Sequence, residues 1–215
     1  MKLLLTSQGI TNKSIEKKFF ELVGKKPEDI ILCYIMTSVN MVPATHKWWM
    51  LDNLRQIEGM GIGQIDIMDF VSIPKKNWLP RLQASDVIFM EGGSAFGLLE
   101  AVKNTGLDKE LPNLLKNRVY VGASAGSMLL CQEEVTSDKT DPSGFKHDKG
   151  LGIVNFSIRP HFYRPDRSVF TEEALAKFAK EYNCTFYGIN DNTAICVTDK
   201  KVEVVSEGKW KKFPL

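Results

Sequence analysis

The sequence predicts an α/β fold, a three-layer α/β/α sandwich with a mostly parallel central sheet. Two observations predict it. Short apolar runs rich in β-branched residues alternate with segments whose apolar residues recur at helical spacing. Several of those runs are apolar throughout, as strands buried on both faces of a parallel sheet must be.

Taken in order, Lys2 to Thr6 reads as the first strand and Ser14 to Val23 as the first helix, with Ser14 placed to cap it. Strands follow at Asp29 to Ile35 and Gln64 to Phe70, with a helix from His46 to Glu58 between them and Thr45 as its capping residue. The strand Asp86 to Met90, the helix Ala95 to Lys103 and the strand Arg118 to Gly122 repeat the alternation. Thr136 to Gly150, dense in Asp, Ser, Gly, Pro and Lys, reads as a long exposed loop, and loops of that length are often functional. Beyond it a short strand near Ile153 to Ile158 is expected, then a helix from Thr171 to Tyr182 and strands at Cys184 to Ile189, Thr193 to Thr198 and Lys201 to Ser206.

A chain of 215 residues, 43% of them hydrophobic, suits one domain spanning residues 1–215. Its 28 basic and 26 acidic side chains are interspersed, which predicts no broad cationic face for nucleic acid. Met1 to Thr6 is basic and then apolar for only three residues, too short for the apolar core of a signal peptide, and no stretch approaches a membrane span; a cytoplasmic protein is expected. Cys33, Cys131, Cys184 and Cys196 are far apart and predicted to be reduced core residues. Neither they nor His46, His147 and His161 have the spacing of a metal site, and no Gly-rich phosphate loop follows the first strand, so no metal or other cofactor is expected.

Chemistry concentrates at Gly122-Ala123-Ser124-Ala125-Gly126, a G-x-S-x-G sequence with a buried-type strand before it and an apolar helix predicted over Ser127 to Cys131. Small residues on both sides let the chain turn sharply and project the Ser124 hydroxyl above the sheet, with the Ala125 N–H as an oxyanion donor. Such a serine needs a base to take its proton. His147 lies in the charged loop, where a solvated side chain is the simpler reading, and His46 precedes a Trp-rich helix, where capping or packing is. His161, just past a strand end and restrained by Pro160, is the best candidate. No histidine follows it, which disfavours the Ser, acid, His order of an α/β-hydrolase. Glu91-Gly92-Gly93-Ser94 after the fourth strand offers either a second oxyanion wall or a plain turn.

With these residues in hand, the sequence resembles peptidase family S51, which includes aspartyl dipeptidase (peptidase E) and cyanophycinase. The similarity runs through the Leu-Leu-Leu-Thr-Ser opening, Asp86-Val87-Ile88-Phe89 leading to Gly92-Gly93, the Gly-x-Ser-Ala-Gly elbow, Pro160-His161-Phe162 and Gly188-Ile189-Asn190-Asp191-Asn192-Thr193-Ala194. It implies a class I glutamine amidotransferase-like (flavodoxin-like) fold, with Ser124 as nucleophile, His161 as base, Asp191 as orienting acid and the N–H groups of Gly93 and Ala125 as the oxyanion hole. Asp191 stands where family members usually carry glutamate, Ser94-Ala95 replaces their Asn-Thr, and Tyr163-Arg164-Pro165-Asp166-Arg167 replaces a Gly- and Arg-containing segment, so a requirement for N-terminal aspartate is not carried over.

The expected activity is that of a serine-type peptidase on short peptides. The alternatives are an esterase or amidase of the same fold, and a non-catalytic ligand-binding module that retains the elbow. Arg159, Arg164 and Arg167 flank His161 and, with Ser94, are candidate substrate contacts, although pairing of the arginines with Asp166 or Glu172 at the surface is the simpler reading of each. Trp48 and Trp49 read as packing of an amphipathic helix rather than as a lid. Monomer and homodimer are both left open.

Overall fold

The computed structural model describes residues 1–215 except 44–46, 138, 139, 141, 143 and 200, and the side chain of Arg167. Thr45, the expected cap of the second helix, and His46, among the candidate bases, lie outside the described residues. In chain order the strands are β1 (Lys2–Thr6), β2 (Ile31–Ile35), β3 (Gln64–Met68), β4 (Val87–Met90), β5 (Val119–Ala123), β6 (Glu133–Ser137), β7 (Phe145–Lys149), β8 (Phe156–Arg159), β9 (Thr185–Ile189), β10 (Thr193–Thr198), β11 (Lys201–Ser206) and β12 (Trp210–Phe213). The helices are α1 (Lys13–Val23), α2 (Thr37–Asn40), α3 (Trp48–Gly59), α4 (Lys75–Ala84), α5 (Ala95–Thr105), α6 (Leu107–Leu114), α7 (Ala125–Met128) and α8 (Glu172–Glu181).

Seven strands form the central sheet in the order β11-β10-β1-β5-β4-β2-β3. The five from β1 to β3 in that order pair in parallel, and β10 pairs antiparallel with both β1 and β11. The period-2 alternation of side chains across a strand sends Leu3, Leu5, Cys33, Ile35, Ile88, Met90 and Tyr120 to one core and Leu4, Leu32, Tyr34, Val87, Phe89 and Val121 to the other. The first core is closed by Trp78 and Leu82 of α4, Leu98 and Val102 of α5 and Leu111 of α6, the second by Ile15, Phe19 and Leu22 of α1 and Ile57 of α3. Both faces are thus apolar and covered, as the uninterrupted apolar runs predict, and the layers are those of the expected sandwich. A smaller sheet, β12-β9-β8, lends Phe156, Ile158 and Tyr187 to the first core, while Phe186 and Phe213 pack with Phe178 of α8 in a third. Among the described residues no helix is long and apolar enough to cross a membrane. The four cysteines are buried and free.

Four local expectations are corrected. The first helix is capped by Asn12 and not by Ser14, for Asn12 Oδ1 accepts from Ile15 N–H at 3.0 Å and Ser14 lies within the helix. The ends of the predicted loop Thr136 to Gly150 belong to a hairpin, in which β6 pairs antiparallel with β7 and Val135 faces His147. Only Val135 and the half-buried Phe145 join the third core, too few apolar residues for a period-2 signal. His147 is not a solvated loop residue: its ring stacks on Tyr182 at 4.0 Å, and its Nε2 lies 2.7 Å from a carboxylate oxygen of the buried Glu133. The helix after the elbow is the single turn α7 and not Ser127 to Cys131. Helices α4 and α6 carry Pro80 and Pro112 in their interiors, which hides them from periodicity.

Candidate active site

The carboxyl ends of β1, β4 and β5, neighbours in the sheet or one strand removed, meet at one edge, where an open parallel sheet places its ligand crevice. The chain leaves β5 through Ser124, whose φ of 50° and ψ of −109° put a side-chain-bearing residue in a strained, positive-φ conformation. The turn that follows is tight enough to demand glycine at 126, since a Cβ there would lie 2.0 Å from the Met90 carbonyl oxygen. Ser124 N–H donates to the Thr6 carbonyl at 3.1 Å, and the Ser127 hydroxyl lies 2.7 Å from the same oxygen and 2.8 Å from the Gly122 carbonyl, so the elbow is tied to β1.

The turn after β8 brings His161 over this serine. Its φ is 57°, and the next residue, Phe162, is held by its N–H to the Ile189 carbonyl at 3.0 Å and by its ring seated on Gly188. His161 Nε2 stands 3.0 Å from Ser124 Oγ, and Nδ1 stands 2.5 Å from Asp191 Oδ1. Asp191 lies in the β9–β10 turn, where the Asn190 side chain accepts from Asn192 N–H and the Thr193 hydroxyl. The Asn-Asp-Asn stretch is therefore a turn, and it also presents a carboxylate to the histidine. Despite being one methylene shorter than glutamate, Asp191 closes the distance.

Ser7, at the carboxyl end of β1, completes the arrangement. Its hydroxyl accepts from His161 N–H at 2.8 Å and donates to Asp191 Oδ1 at 2.9 Å. Burial alone would raise the Asp191 carboxyl, but the hydrogen bonds from His161 and Ser7 and the charges of His161 and Arg164 outweigh it and hold it below its ordinary value.

Two backbone N–H groups face the same space. In the loop after β4, Gly92 N–H is taken by the Glu91 carboxylate at 2.6 Å and Ser94 N–H by the Ser38 carbonyl at 3.1 Å. Gly93 N–H, between them, has no partner among the described residues. Gly93 has a φ of 152°, and a Cβ there would meet the Ser38 carbonyl oxygen at 2.3 Å. The second group is Ala125 N–H, at the first turn of α7, where a helix leaves its donors unsatisfied. A nucleophile-type hydroxyl, a histidine, a carboxylate and two N–H donors without a partner among the described residues are the parts acyl transfer requires.

A sequence model of peptidase family S51 matches residues 3–205. The chain belongs to that family. It is 32% identical over 144 residues to peptidase E of Streptomyces coelicolor, a match covering 63% of this chain and 58% of that protein. To an uncharacterized peptidase of Listeria monocytogenes it is 26% identical over 69% of this chain and 73% of the relative. A crystal structure of a candidate peptidase E from Listeria monocytogenes EGD-e superposes with a TM-score of 0.74 at 23% identity, covering 96% of this chain and 98% of that one, and so shares the fold.

In this S51 chain a cavity of about 300 Å³ opens beside Ser124, walled by Trp48, Trp49, Asn53, Gly93, His161 and Arg164. The tryptophans, expected only to pack their helix, line the site instead, and Trp48 is 41% exposed. A second cavity of about 260 Å³, also bordering Ser124, is lined by Ser94 and Arg159. Arg159 is not a surface charge: it is 7% exposed, donates to the Val135 carbonyl at 3.1 Å and lies over the Phe170 ring at 3.5 Å. Arg164 pairs with Asp166 at 2.9 Å and reaches within 3.5 Å of Asp191 Oδ2. The Ser94 hydroxyl caps α5 by accepting from Gly97 N–H at 3.2 Å. Arg167 belongs to a short 3-10 turn, and its side chain lies outside the described residues.

Sequence reasoning missed Ser7 and Glu91. Ser7 was visible only as a polar residue ending an apolar strand. In the sequence Glu91 reads as part of a glycine turn, yet it is 1% exposed, and its burial pushes the carboxyl up to about 7 against the opposing hydrogen bonds of Tyr34, Asn53 and Gly92.

Proposed function

We propose that residues 1–215 act as one domain, a serine-type peptidase that cleaves short peptides through an acyl-enzyme on Ser124. The observation that carries this reading is the unbroken chain from Ser124 Oγ through His161, at 3.0 Å, to Asp191, at 2.5 Å, beside two N–H groups that have no partner among the described residues. In the proposed reaction His161 Nε2 takes the Ser124 proton as the oxygen attacks the scissile carbonyl, and the oxyanion is held by Gly93 and Ala125 N–H. His161 then passes that proton to the leaving amine, which departs as the acyl-enzyme forms. A water, deprotonated by the same nitrogen, releases the acyl group and returns the proton to Ser124. Asp191 accepts from Nδ1 throughout, fixing the tautomer with Nε2 free and stabilising the imidazolium.

The size of the cavity, about 300 Å³, favours a few residues of substrate over a folded protein. Arg164 in the first cavity and Arg159 in the second are the proposed contacts for substrate carboxylates, with Ser94 beside the latter and Arg167 following on the same segment. Four buried free cysteines support a reducing, cytoplasmic setting. Peptidase E activity is named for the Streptomyces relative and supports the peptide substrate class.

The test is hydrolysis of a dipeptide and tripeptide panel, N-terminal Asp included, by the protein and its Ser124→Ala variant, with fluorophosphonate labelling of both. Cleavage and labelling that vanish together in the variant support the proposal. Labelling without cleavage of any peptide points to an ester or amide substrate, and absence of both overturns it.

A further inference from the structure

The carboxylate of Glu91 is a titratable group of the oxyanion loop that the proposed reaction does not use. It follows β4 directly, is 1% exposed, and lies between apolar strands where an unpaired charge is costly. Three donors meet it from three different elements. Gly92 N–H of its own loop donates to Oε1 at 2.6 Å, while Oε2 accepts from the Tyr34 hydroxyl of β2 and from Asn53 Nδ2 of α3 at 2.8 Å. The other side of the loop is tied to Ser38, whose hydroxyl donates to the Glu91 carbonyl at 2.7 Å and the Gly92 carbonyl at 3.0 Å, and whose carbonyl accepts from Ser94 N–H at 3.1 Å.

These bonds sort the loop's donors. Gly92 N–H is drawn inward and Ser94 N–H is drawn to Ser38, which leaves Gly93 N–H as the donor available to the cavity. The arrangement extends further, because Asn53 packs so closely on Gly9 that a Cβ there would lie 2.2 Å from Asn53 Oδ1. Gly9 N–H in turn donates to Thr6 Oγ1 at 2.7 Å, in the turn that carries Ser7. Asn53 also belongs to the helix whose first residues, Trp48 and Trp49, wall the cavity.

We propose that Glu91 is a positioning residue for the oxyanion hole: by holding Gly92 N–H, Tyr34 and Asn53 together it turns Gly93 N–H toward the carbonyl that Ser124 attacks. The inference rests on the peptidase reading above. A glutamine of the same shape has one acceptor oxygen and presents two hydrogens where donors already converge, so either Gly92 N–H or the Tyr34–Asn53 pair loses its acceptor and the loop is released. A misaimed donor weakens the transition state more than the bound substrate, which sets the expected pattern.

The experiment compares wild type with Glu91→Gln and with Tyr34→Phe on the peptide that wild type cleaves best, measuring kcat, KM, melting temperature and inhibition by a peptide aldehyde, whose adduct with Ser124 places an oxyanion in the hole. For Glu91→Gln the expected result is a fall in kcat of roughly ten- to a hundredfold with KM within about threefold, matched by a similar loss of aldehyde affinity. Tyr34→Phe, which removes one donor and keeps the ring stacked on Phe89 at 5.1 Å, should shift kcat and aldehyde affinity the same way by a few-fold. It decides the matter if Glu91→Gln does not fold. A folded Glu91→Gln with kcat and aldehyde affinity within twofold of wild type overturns the inference even if its melting temperature drops, for that is the mark of packing alone. A wild type that neither cleaves peptides nor labels at Ser124 overturns the peptidase reading and this inference together, whereas an active wild type beside an unaffected variant overturns only the latter.

Discussion

Replacing Asp191 with asparagine tests the triad geometry at its least expected residue. Oδ1 accepts from His161 Nδ1 at 2.5 Å and from the Ser7 hydroxyl at 2.9 Å, and Ser7 is itself oriented by accepting from His161 N–H. In Asp191→Asn the Ser7 proton still points at that position, so it favours the amide oxygen there over the amide nitrogen. The tautomer with Nε2 free is then retained, and what is lost is the negative charge that stabilises the imidazolium. Where an asparagine reverses the tautomer the loss is about 10⁴-fold. With the tautomer kept, a smaller loss is expected, about 10³-fold in kcat or roughly 4 kcal/mol of transition-state stabilisation. Ser7→Ala removes both the donor to a carboxylate that His161 and Arg164 still contact and the acceptor of His161 N–H, so about a tenfold loss is expected. Both variants are to be assayed by single-turnover hydrolysis, with circular dichroism confirming the fold. A folded Asp191→Asn within tenfold of wild type would remove Asp191 from the reaction.

Three other perturbations follow from the same geometry. Gly93→Ala forces a Cβ to within 2.3 Å of the Ser38 carbonyl oxygen at a φ of 152°, so the loop must move; kcat should fall by at least about 10²-fold, and an alanine variant of wild-type activity would place the oxyanion donor elsewhere. At Ser124, with its φ of 50°, the glycine variant should be more stable than the alanine variant by about 1 kcal/mol, seen as a higher melting temperature; the reverse order would show that the elbow stores no strain. Glu134 is fully buried with neither carboxylate oxygen hydrogen-bonded among the described residues, and burial, helped by Asp148 and opposed by Lys103, pushes its carboxyl up to about 8. The folded state therefore keeps a proton that the unfolded chain loses near its ordinary value of 4.5, and stability contributed by this group is present in acid and falls as pH rises from that value through about 8, by up to roughly 5 kcal/mol. Urea titrations across that range should show a steeper decline for wild type than for Glu134→Gln, and parallel curves would refute the assignment.

Much of this molecule was legible because its chemistry depends on short local patterns. The apolar runs of β1, β2, β4 and β5 carry no polar face, and only a doubly covered sheet buries such strands. The turn at Ser124 was legible because a serine between glycines at a strand end has few structural uses, and His161 was legible as its candidate partner because the other two histidines have poorer settings for a base. What stayed hidden is what depends on tertiary neighbours. The β6–β7 hairpin was lost in a polar stretch because its core contacts are Val135 and Phe145 alone. Trp48 and Trp49 have the same spacing whether a helix turns them to the core or to a cavity, so periodicity could not reveal them as walls of the site. Arg159 looked like a surface charge because its setting, under Phe170 and against the Val135 carbonyl, is assembled by segments distant in sequence.

Ser7 and Glu91 show the same limit from the functional side. Each is an ordinary residue at a strand end, and each acquires its meaning from partners on other strands: Ser7 from His161 and Asp191, Glu91 from Tyr34 and Asn53. The residues proposed to react can be recognised by type and spacing, since a nucleophile, a base and an acid are chemically distinctive. Residues that aim them have no such signature, because the only requirement on an aiming group is a hydrogen bond of the right direction, which many side chains supply. A change at Ser7 or Glu91 would therefore leave the motif intact in the sequence while altering the geometry on which the proposed reaction depends, so motif retention alone is a weak guide to activity in chains of this family.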